Sequence, residues 1–208
     1  MRLVLMQFCS LDGVTQGPGS PDEDTSHGFS RGGWFAPYVD ETFLPIVRRW
    51  AESADAYLFG RRTYTAFADA WPHMPDLDDP VAASLNGRPK HVVSSNLTDA
   101  DLTWGPATLH QGDVEAAVAE ITAAPGAEVQ VHGSTTLGRA LLRAGLVDEL
   151  RLVVAPVIVG DGRRLLTEAD SARGLRLLDL ERTDAGLAVH TYAVEGPATF
   201  ATYAPAER

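Results

Sequence analysis

Strand-like and helix-like segments alternate through the first two thirds of the chain, and only strand-like segments follow. Four short apolar runs, each bounded by turn residues, predict strands. They lie at residues 3–8, 56–59, 91–93 and 129–131. Between them, apolar residues recur at the three- and four-residue spacing of a helix that buries one face. These helical segments lie at residues 43–54, 64–71, 81–85, 114–121 and 137–144. Such alternation predicts an α/β fold with a mostly parallel central sheet and helices on both of its faces.

The last quarter of the chain changes character, because no convincing helical spacing separates its apolar runs. Residues 150–159, 175–181 and 187–194 predict strands that extend one edge of the sheet in antiparallel fashion. Residues 199–203 predict either a last edge strand or a tail. At the helix ends, Thr63 and Asp113 are expected N-caps, and Gly145 is an expected C-cap.

No linker or internal repeat divides the 208 residues. We therefore expect a single domain over residues 1–208, with its core in residues 2–195 and a tail or edge strand at 196–208.

The net charge excludes some classes of binding partner, and the cysteine content indicates the redox state of the compartment. A net charge of −11 argues against nucleic acid, because phosphate binding needs a basic surface. Residues 152–159 form the longest strongly apolar run, which is too short to span a bilayer, so we expect no membrane partner. The single Cys9 and the absence of a signal-peptide pattern favour a reducing, cytoplasmic setting. The six histidines lack the spacing of a metal site, so we expect no metal.

Residues 10–33 form a long segment rich in Gly, Pro, Asp and Ser without periodicity. A loop of this length inside a compact domain is usually functional or mobile.

Glycine, hydroxyl and arginine side chains follow three of the predicted strands. In an open α/β sheet, ligands bind beyond the carboxyl ends of the strands. A helix N-terminus offers free N–H groups to phosphate, and an arginine can pair bidentately with a second phosphate. The first strand end is Gly60-Arg61-Arg62-Thr63, the second is Ser94-Ser95, and the third is His132-Gly133-Ser134-Thr135-Thr136-Leu137. Together they predict a phosphate-rich ligand held by three turns without a metal.

Each feature taken alone also has a structural interpretation. The two arginines could be solvated residues at a helix start, the hydroxyls could be simple helix caps, and tryptophans such as Trp34 are more often core residues than cofactor contacts. The chain has no P-loop, and Ser134 lacks the flanking glycines of a hydrolase nucleophile turn. Gly160-Asp161-Gly162 lacks the third glycine of a dinucleotide fingerprint.

Taken as a set, these motifs resemble the dihydrofolate reductase superfamily. The Gly60-Arg61-Arg62-Thr63 turn, the segment at residues 85–95 and the Gly133 turn carry the resemblance. Ser10-Leu11-Asp12-Gly13, residues 145–150 and residues 156–162 resemble the branch of the pyrimidine reductase domain in bifunctional riboflavin-biosynthesis enzymes. The resemblance implies a three-layer αβα fold and an NADPH-dependent reductase acting on a small planar heterocyclic or carbonyl compound.

The resemblance also implies roles for the three turns. Arg61, Arg62 and Thr63, next to Gly60, would hold the 2′-phosphate of NADP, and Ser94 and Ser95 would line its adenosine end. Residues 132–137 would cradle the pyrophosphate, and the loop at 10–33 would cover the active site. It further implies a homodimer formed through the strand-rich C-terminal part.

The sequence departs from the family pattern at two places. His132 replaces one glycine of the pyrophosphate turn, and the acidic residue that dihydrofolate reductases carry on their first helix has no counterpart at the matching spacing. We take Asp12 and then Asp40 as candidate catalytic acids, with protonation by water as the alternative. Trp34, Phe35 and Tyr38 are the candidate substrate-binding residues. The missing acid keeps a second hypothesis open, a non-catalytic protein that binds NADP as a sensor.

Overall fold

A computed structural model describes residues 1–167 and 172–203, and it contains an eight-stranded sheet. The strands are β1 (Arg2–Ser10), β2 (Ala54–Gly60), β3 (Lys90–Val93), β4 (Ala107–His110), β5 (Glu128–His132), β6 (Glu149–Ala155), β7 (Arg173–Arg182) and β8 (Ala188–Pro197). Their order across the sheet is β4-β3-β2-β5-β1-β6-β8-β7. Strands β1 to β6 pair with one another in parallel, and β8 pairs antiparallel with both β6 and β7. The predicted mostly parallel sheet with an antiparallel C-terminal edge is confirmed.

Five α-helices join the parallel strands and cover the sheet. They are α1 (Leu44–Ser53), α2 (Arg61–Ala70), α3 (Pro80–Gly87), α4 (Val114–Ala123) and α5 (Thr135–Ala144). Helices α4 and α5 pack on one face in a cluster with Leu3 and Leu5. Helix α1 packs in a cluster with Val4 and Met6, which alternate with those leucines along β1 and therefore face the opposite way. The three-layer αβα arrangement is confirmed.

Strand β1 lies inside the sheet because nearly every residue in it is apolar. Leu3, Val4 and Leu5 have no exposed surface and Met6 is 5% exposed, so the strand is buried on both faces, as is usual for a parallel strand between two helical layers. Its carboxyl end, at Ser10, opens directly into the long loop at residues 10–33.

The helix ends follow the sequence signals in two of three cases. The Asp113 carboxylate accepts from the Glu115 amide at 2.9 Å, and Gly145 ends α5 in the left-handed region at φ +72°. The expected Thr63 cap is wrong. Helix α2 already begins at Arg61, so Thr63 lies inside it and its hydroxyl accepts a hydrogen bond from the Ser134 amide instead.

Three strand boundaries differ from the sequence patterns. Strand β6 ends at Ala155 because Pro156 cannot continue the ladder. Strand β4 lies in residues that were assigned no strand bounds, because its alternation of apolar and polar residues spans only four positions. Strand β8 runs to Pro197, and residues 199–203 form no strand, so the edge-strand alternative for that segment is wrong.

Candidate functional site

The three predicted turns lie side by side at one edge of the sheet. Strands β3, β2 and β5 are neighbours and run parallel, so their carboxyl ends point the same way. Ser94 follows β3, Gly60 ends β2, and Gly133 follows β5. The topology thus brings together residues that are spread over more than seventy positions of the sequence.

Two hydrogen bonds join the β2 and β5 turns. The Gly60 amide donates to Ser134 Oγ at 3.0 Å, and the Ser134 amide donates to Thr63 Oγ1 at 3.1 Å. Gly133 and Ser134 both lie in the left-handed region, at φ +53° and +51°. This strained backbone fixes the direction in which α5 begins.

The first turn of α5 has no side-chain cap of its own, because Ser134 Oγ accepts from Gly60 instead. The first amides of a helix have no partner within the helix, and their dipoles favour an anion. Thr135, the first residue of α5, is buried and shares a 2.9 Å hydrogen bond with Thr15 of the long loop. Thr136 is exposed, whereas Leu137 packs into the core. The start of α5 therefore offers N–H groups to a ligand, and only part of the predicted set faces outward.

Arg61 and Arg62 open α2 at the same edge and are both exposed. The Arg62 guanidinium lies 3.9 Å from the Asp24 carboxylate of the long loop, which also accepts from Arg163 at 2.8 Å. Partial burial alone would raise the pKa of Asp24, but hydrogen bonds from Ser26 and Arg163 outweigh it and lower the pKa to about 2. A charged loop carboxylate thus stands beside the arginines proposed for phosphate.

Ser94 and Ser95 lie at the end of β3. Ser94 is buried, and its Oγ accepts from the amides of Asn96 and Leu97 at 3.1 and 3.2 Å, which shapes the turn. Ser95 is exposed. Of this pair, Ser95 is the hydroxyl placed to meet a ligand.

Asp12 anchors the long loop to the segment after β6. Its carboxylate accepts from Ser10 Oγ at 2.7 Å, from the Val159 and Gly160 amides at 2.9 and 2.8 Å, and from Arg164 at 3.1 Å. Partial burial opposes ionisation, but these hydrogen bonds outweigh it and hold the pKa of Asp12 well below its usual range. Asp12 is therefore ionised at neutral pH and has no proton to donate.

Asp40 serves the start of α1. Its carboxylate accepts from the Thr42 hydroxyl and from the amides of Thr42 and Phe43 at 2.7 to 3.0 Å, and also from the Ala185 amide in the β7–β8 turn. The Thr42 hydroxyl and these amides lower the pKa of the exposed carboxyl. The geometry gives Asp40 the role of holding the turn that leads into α1, whose N-cap residue is Phe43.

Trp34 and Phe35 belong to the core rather than to the surface of the site. Phe35 stacks on Phe8 with ring centroids 4.3 Å apart, and Trp34 donates from Nε1 to the Gln16 carbonyl at 2.8 Å. Both side chains are buried, which leaves Tyr38 as the half-exposed member of the predicted substrate-binding set.

The sequence analysis missed polar residues hidden inside the strands. Gln7 is 3% exposed, and its Oε1 is the one buried side-chain nitrogen or oxygen without a partner in the part of the chain that the structure describes. Gln130 and Arg151 are also buried. The available signal was a polar residue inside an otherwise apolar strand, since burial without hydrogen bonds is costly.

Residues 2–189 match the RibD C-terminal domain family, which covers most of the chain. This chain belongs to the RibD C-terminal domain family. It is 23% identical over 197 residues to the uncharacterized protein YyaP of Bacillus subtilis, with 94% of this chain and 96% of YyaP covered.

Two solved structures illustrate the shared fold. A pyrimidine reductase-like protein of Corynebacterium diphtheriae superposes with a TM-score of 0.60 at 15% identity, covering 93% of this chain and 91% of that one. A diaminohydroxyphosphoribosylaminopyrimidine deaminase/5-amino-6-(5-phosphoribosylamino)uracil reductase of Thermotoga maritima gives 0.62 at 12% identity and covers 93% of this chain and 56% of that one. The resemblance predicted from the motifs is confirmed at the level of family and fold.

Within the described ranges, no helix has the length and hydropathy needed to cross a membrane. The same residues contain no group of three or more His, Cys, Asp or Glu side chains that could hold a metal ion.

Proposed function

We propose that the chain is an NADPH-dependent reductase that transfers a hydride to a small planar heterocyclic or carbonyl compound. Membership of the RibD C-terminal domain family and the likeness to pyrimidine reductase-like proteins support a reductase of the riboflavin-pathway type. The observation that carries the proposal is the joined pair of turns, in which Gly60, Thr63 and Ser134 hold the start of α5 open at the carboxyl edge.

The residues present fit a dinucleotide phosphate. The open N-terminus of α5 suits the pyrophosphate, and Gly133 adds a turn without a Cβ at φ +53°. Arg61 and Arg62 supply two exposed guanidiniums for a 2′-phosphate, and Ser95 lies at the adjacent strand end for the adenosine. When bound, the nicotinamide supplies the hydride.

The remaining residues position the site. Asp12, with its carboxylate saturated by protein donors, ties the long loop to the segment after β6 and acts as a positioning residue in this proposal. Asp40 holds the start of α1, and neither carboxylate is free to donate a proton. Water is then the proton source, and Tyr38 is the remaining candidate for a substrate contact.

The proposal is tested by turnover. We expect NADPH absorbance to fall when the protein meets a panel of aminopyrimidine, pterin and small carbonyl compounds, and we expect Gly133→Val to abolish that loss. Tight NADPH binding without oxidation across the panel would contradict catalysis.

That contrary result would favour the second hypothesis, a non-catalytic NADP-binding sensor on the same fold. The observation in its favour is that both candidate acids have structural partners for their carboxylates. A sensor would bind NADPH with a Kd near cellular cofactor concentrations and leave it unoxidised.

We also propose that two copies associate through the edge formed by β7 and β8. The register places Leu175, Leu177 and Leu180 on the face shared with Val194, Tyr192 and His190, and these leucines are 44–55% exposed. An apolar strip on an edge strand favours docking, and a twofold interface pairs such a strip with itself. Light scattering should give twice the chain mass for the wild type and a lower mass for Leu177→Asp. A wild-type monomer would contradict the proposal.

The single cysteine also bears on the compartment. Cys9 is buried and free in β1, and burial raises the pKa of its thiol to about 11. The described part of the chain contains no disulfide, and the proposed cofactor is kept reduced in the cytoplasm. Both points support a cytoplasmic location in this proposal.

A further inference from the structure

A ladder of buried polar side chains runs along β5 and β6 on the face that α1 covers. Arg151 donates to both oxygens of Glu128 at 3.1 and 2.9 Å, and to Glu149 at 2.7 Å. Arg2 closes the outer end through both carboxylates. Burial opposes the charge on Glu128, but hydrogen bonds from Ser53, Arg151 and Gln130 outweigh it and lower its pKa. The ladder therefore begins with two arginines and two carboxylates, whose charges balance.

Gln130 links this ladder to His132, the next residue of β5 on the same face. Its Nε2 donates to the Trp50 carbonyl at 2.6 Å and to Glu128 Oε1 at 2.5 Å. Both partners are acceptors, so the amide nitrogen must lie on their side. The amide oxygen then faces His132, whose Nε2 is 2.8 Å away.

This geometry fixes the proton on His132. An amide oxygen only accepts, so His132 Nε2 carries the hydrogen and Nδ1 carries the lone pair of a neutral ring. The rings of Tyr57, Phe59 and Phe67 surround the imidazole at centroid distances of 5.2 to 6.5 Å. Burial, aided by Arg151, lowers the pKa of His132 to about 4, so the ring stays neutral at physiological pH.

Nδ1 of His132 is the free end of the ladder. It has no hydrogen-bond partner, and it is not among the buried unpartnered atoms of the described residues, of which Gln7 Oε1 is the sole example. It is therefore open to solvent. His132 is the last residue of β5 and directly precedes Gly133, so its ring belongs to the strand end that carries the joined turns.

We propose that His132 is a fixed hydrogen-bond acceptor of the ligand site, which takes an N–H or O–H group of the bound nucleotide on Nδ1. The identity of the ligand rests on the proposed function, whereas the direction of the hydrogen bond rests on the ladder. A lone pair repels phosphate oxygens, so His132 selects a ribose hydroxyl or an amide of the dinucleotide. Gln130 and Glu128 are positioning residues that act through His132.

The first half of the test measures which ring nitrogen of His132 carries the proton. In long-range proton–nitrogen NMR spectra of protein with nitrogen-15 histidine, we expect His132 to be the Nε2–H tautomer and to remain neutral at pH 5. The other five histidines serve as internal references. Gln130→Met removes the acceptor and should give a mixture of tautomers at an unchanged fold. A proton on Nδ1 in the wild type, or an unmixed spectrum in a folded Gln130→Met, overturns the proposal.

The second half measures the ligand bond. Saturation with NADPH, checked by calorimetry on the same sample, should move the Nδ1 resonance and leave Nε2 protonated, whereas inorganic phosphate should not move it. His132→Leu should weaken NADPH binding about tenfold, and His132→Asn, which retains a polar atom at the δ position, should weaken it less. An unmoved Nδ1 at calorimetric saturation overturns this inference alone, whereas an absence of calorimetric binding overturns the proposed function.

Discussion

At the scale of single residues, a substitution at Gly133 should affect ligand binding more than it affects the stability of the free protein. An added Cβ would lie 3.7 Å from the Thr63 hydroxyl, which is ordinary contact, so the free protein has room for it. The cost in the free protein comes from the positive φ of +53°, which a side chain tolerates poorly. A bound pyrophosphate would meet the same Cβ on its other side.

We expect Gly133→Val to reduce NADPH affinity by about a hundredfold, as the loss of two or three charged hydrogen bonds would. Its Tm should fall by only a few degrees for about 1–2 kcal/mol of backbone strain. Gly186→Ala is the matched control, since Gly186 also has a positive φ, of +91°, but lies in the β7–β8 turn. Unchanged affinity in a folded Gly133→Val would place the pyrophosphate elsewhere.

The residue types of the candidate site and their positions at strand ends were predictable from the sequence. Glycine and hydroxyl residues predicted the joined turns, because such residues are favoured where a strand ends and a helix begins directly after it. The partners of each carboxylate were not predictable. The donors that saturate Asp12 come from residues 159, 160 and 164, which the fold alone brings to it. Trp34 and Phe35 likewise looked like a binding surface until their neighbours were known.

At the scale of elements, the long loop divides into an anchored part and an exposed part. Val14, Thr15 and Gln16 are buried, and the loop amides and side chains bond to Arg163 and its neighbours. The tip between Pro18 and Gly28 is mostly exposed and is fastened chiefly through Asp24. The sequence suggested a loose segment over all of residues 10–33, whereas the buried residues 14–16 limit that expectation to the exposed tip.

We therefore expect amides of residues 19–28 to exchange quickly in the free protein and to slow when NADPH binds, because the tip closes on a ligand surface. Residues 14–16 should be protected in both states. Asp24→Asn should quicken exchange at the tip, and Asp113→Asn, which changes the cap of α4, should not. Hydrogen–deuterium exchange resolved by peptide checks this. Equal protection of the tip with and without NADPH would contradict a lid.

At the scale of the whole molecule, the alternation of segments determined the sheet class and the antiparallel edge. It could not give the strand order, because β5 inserts between β1 and β2 through contacts distant in sequence. It also gave no bounds for β4, a four-residue edge strand with polar residues at two positions. Short edge strands are stabilised by pairing with a neighbour rather than by their own pattern.

The partly buried His132 leads to a prediction about overall stability. Because its pKa is about 4 in the folded protein and near its ordinary value in the unfolded chain, unfolding takes up a proton between these two values. Stability from the neutral ring is complete above about pH 6.5 and is lost as the pH falls toward 4. Compared with His132→Asn, the wild type should lose up to about 1.4 kcal/mol more per pH unit in that window. Urea unfolding at several pH values checks this, and parallel curves for the two proteins would contradict it.

The central claim is that the joined turns and the two arginines of α2 hold NADPH, and calorimetric titration with NADPH and NADH tests it most directly. One or two guanidiniums on a 2′-phosphate correspond to about 2–3 kcal/mol, so we predict about a hundredfold preference for NADPH. Arg61→Ala/Arg62→Ala should remove this preference, while Arg48→Ala/Arg49→Ala, an exposed arginine pair on α1, should retain it. Equal affinities of the wild-type protein for the two cofactors would contradict the account.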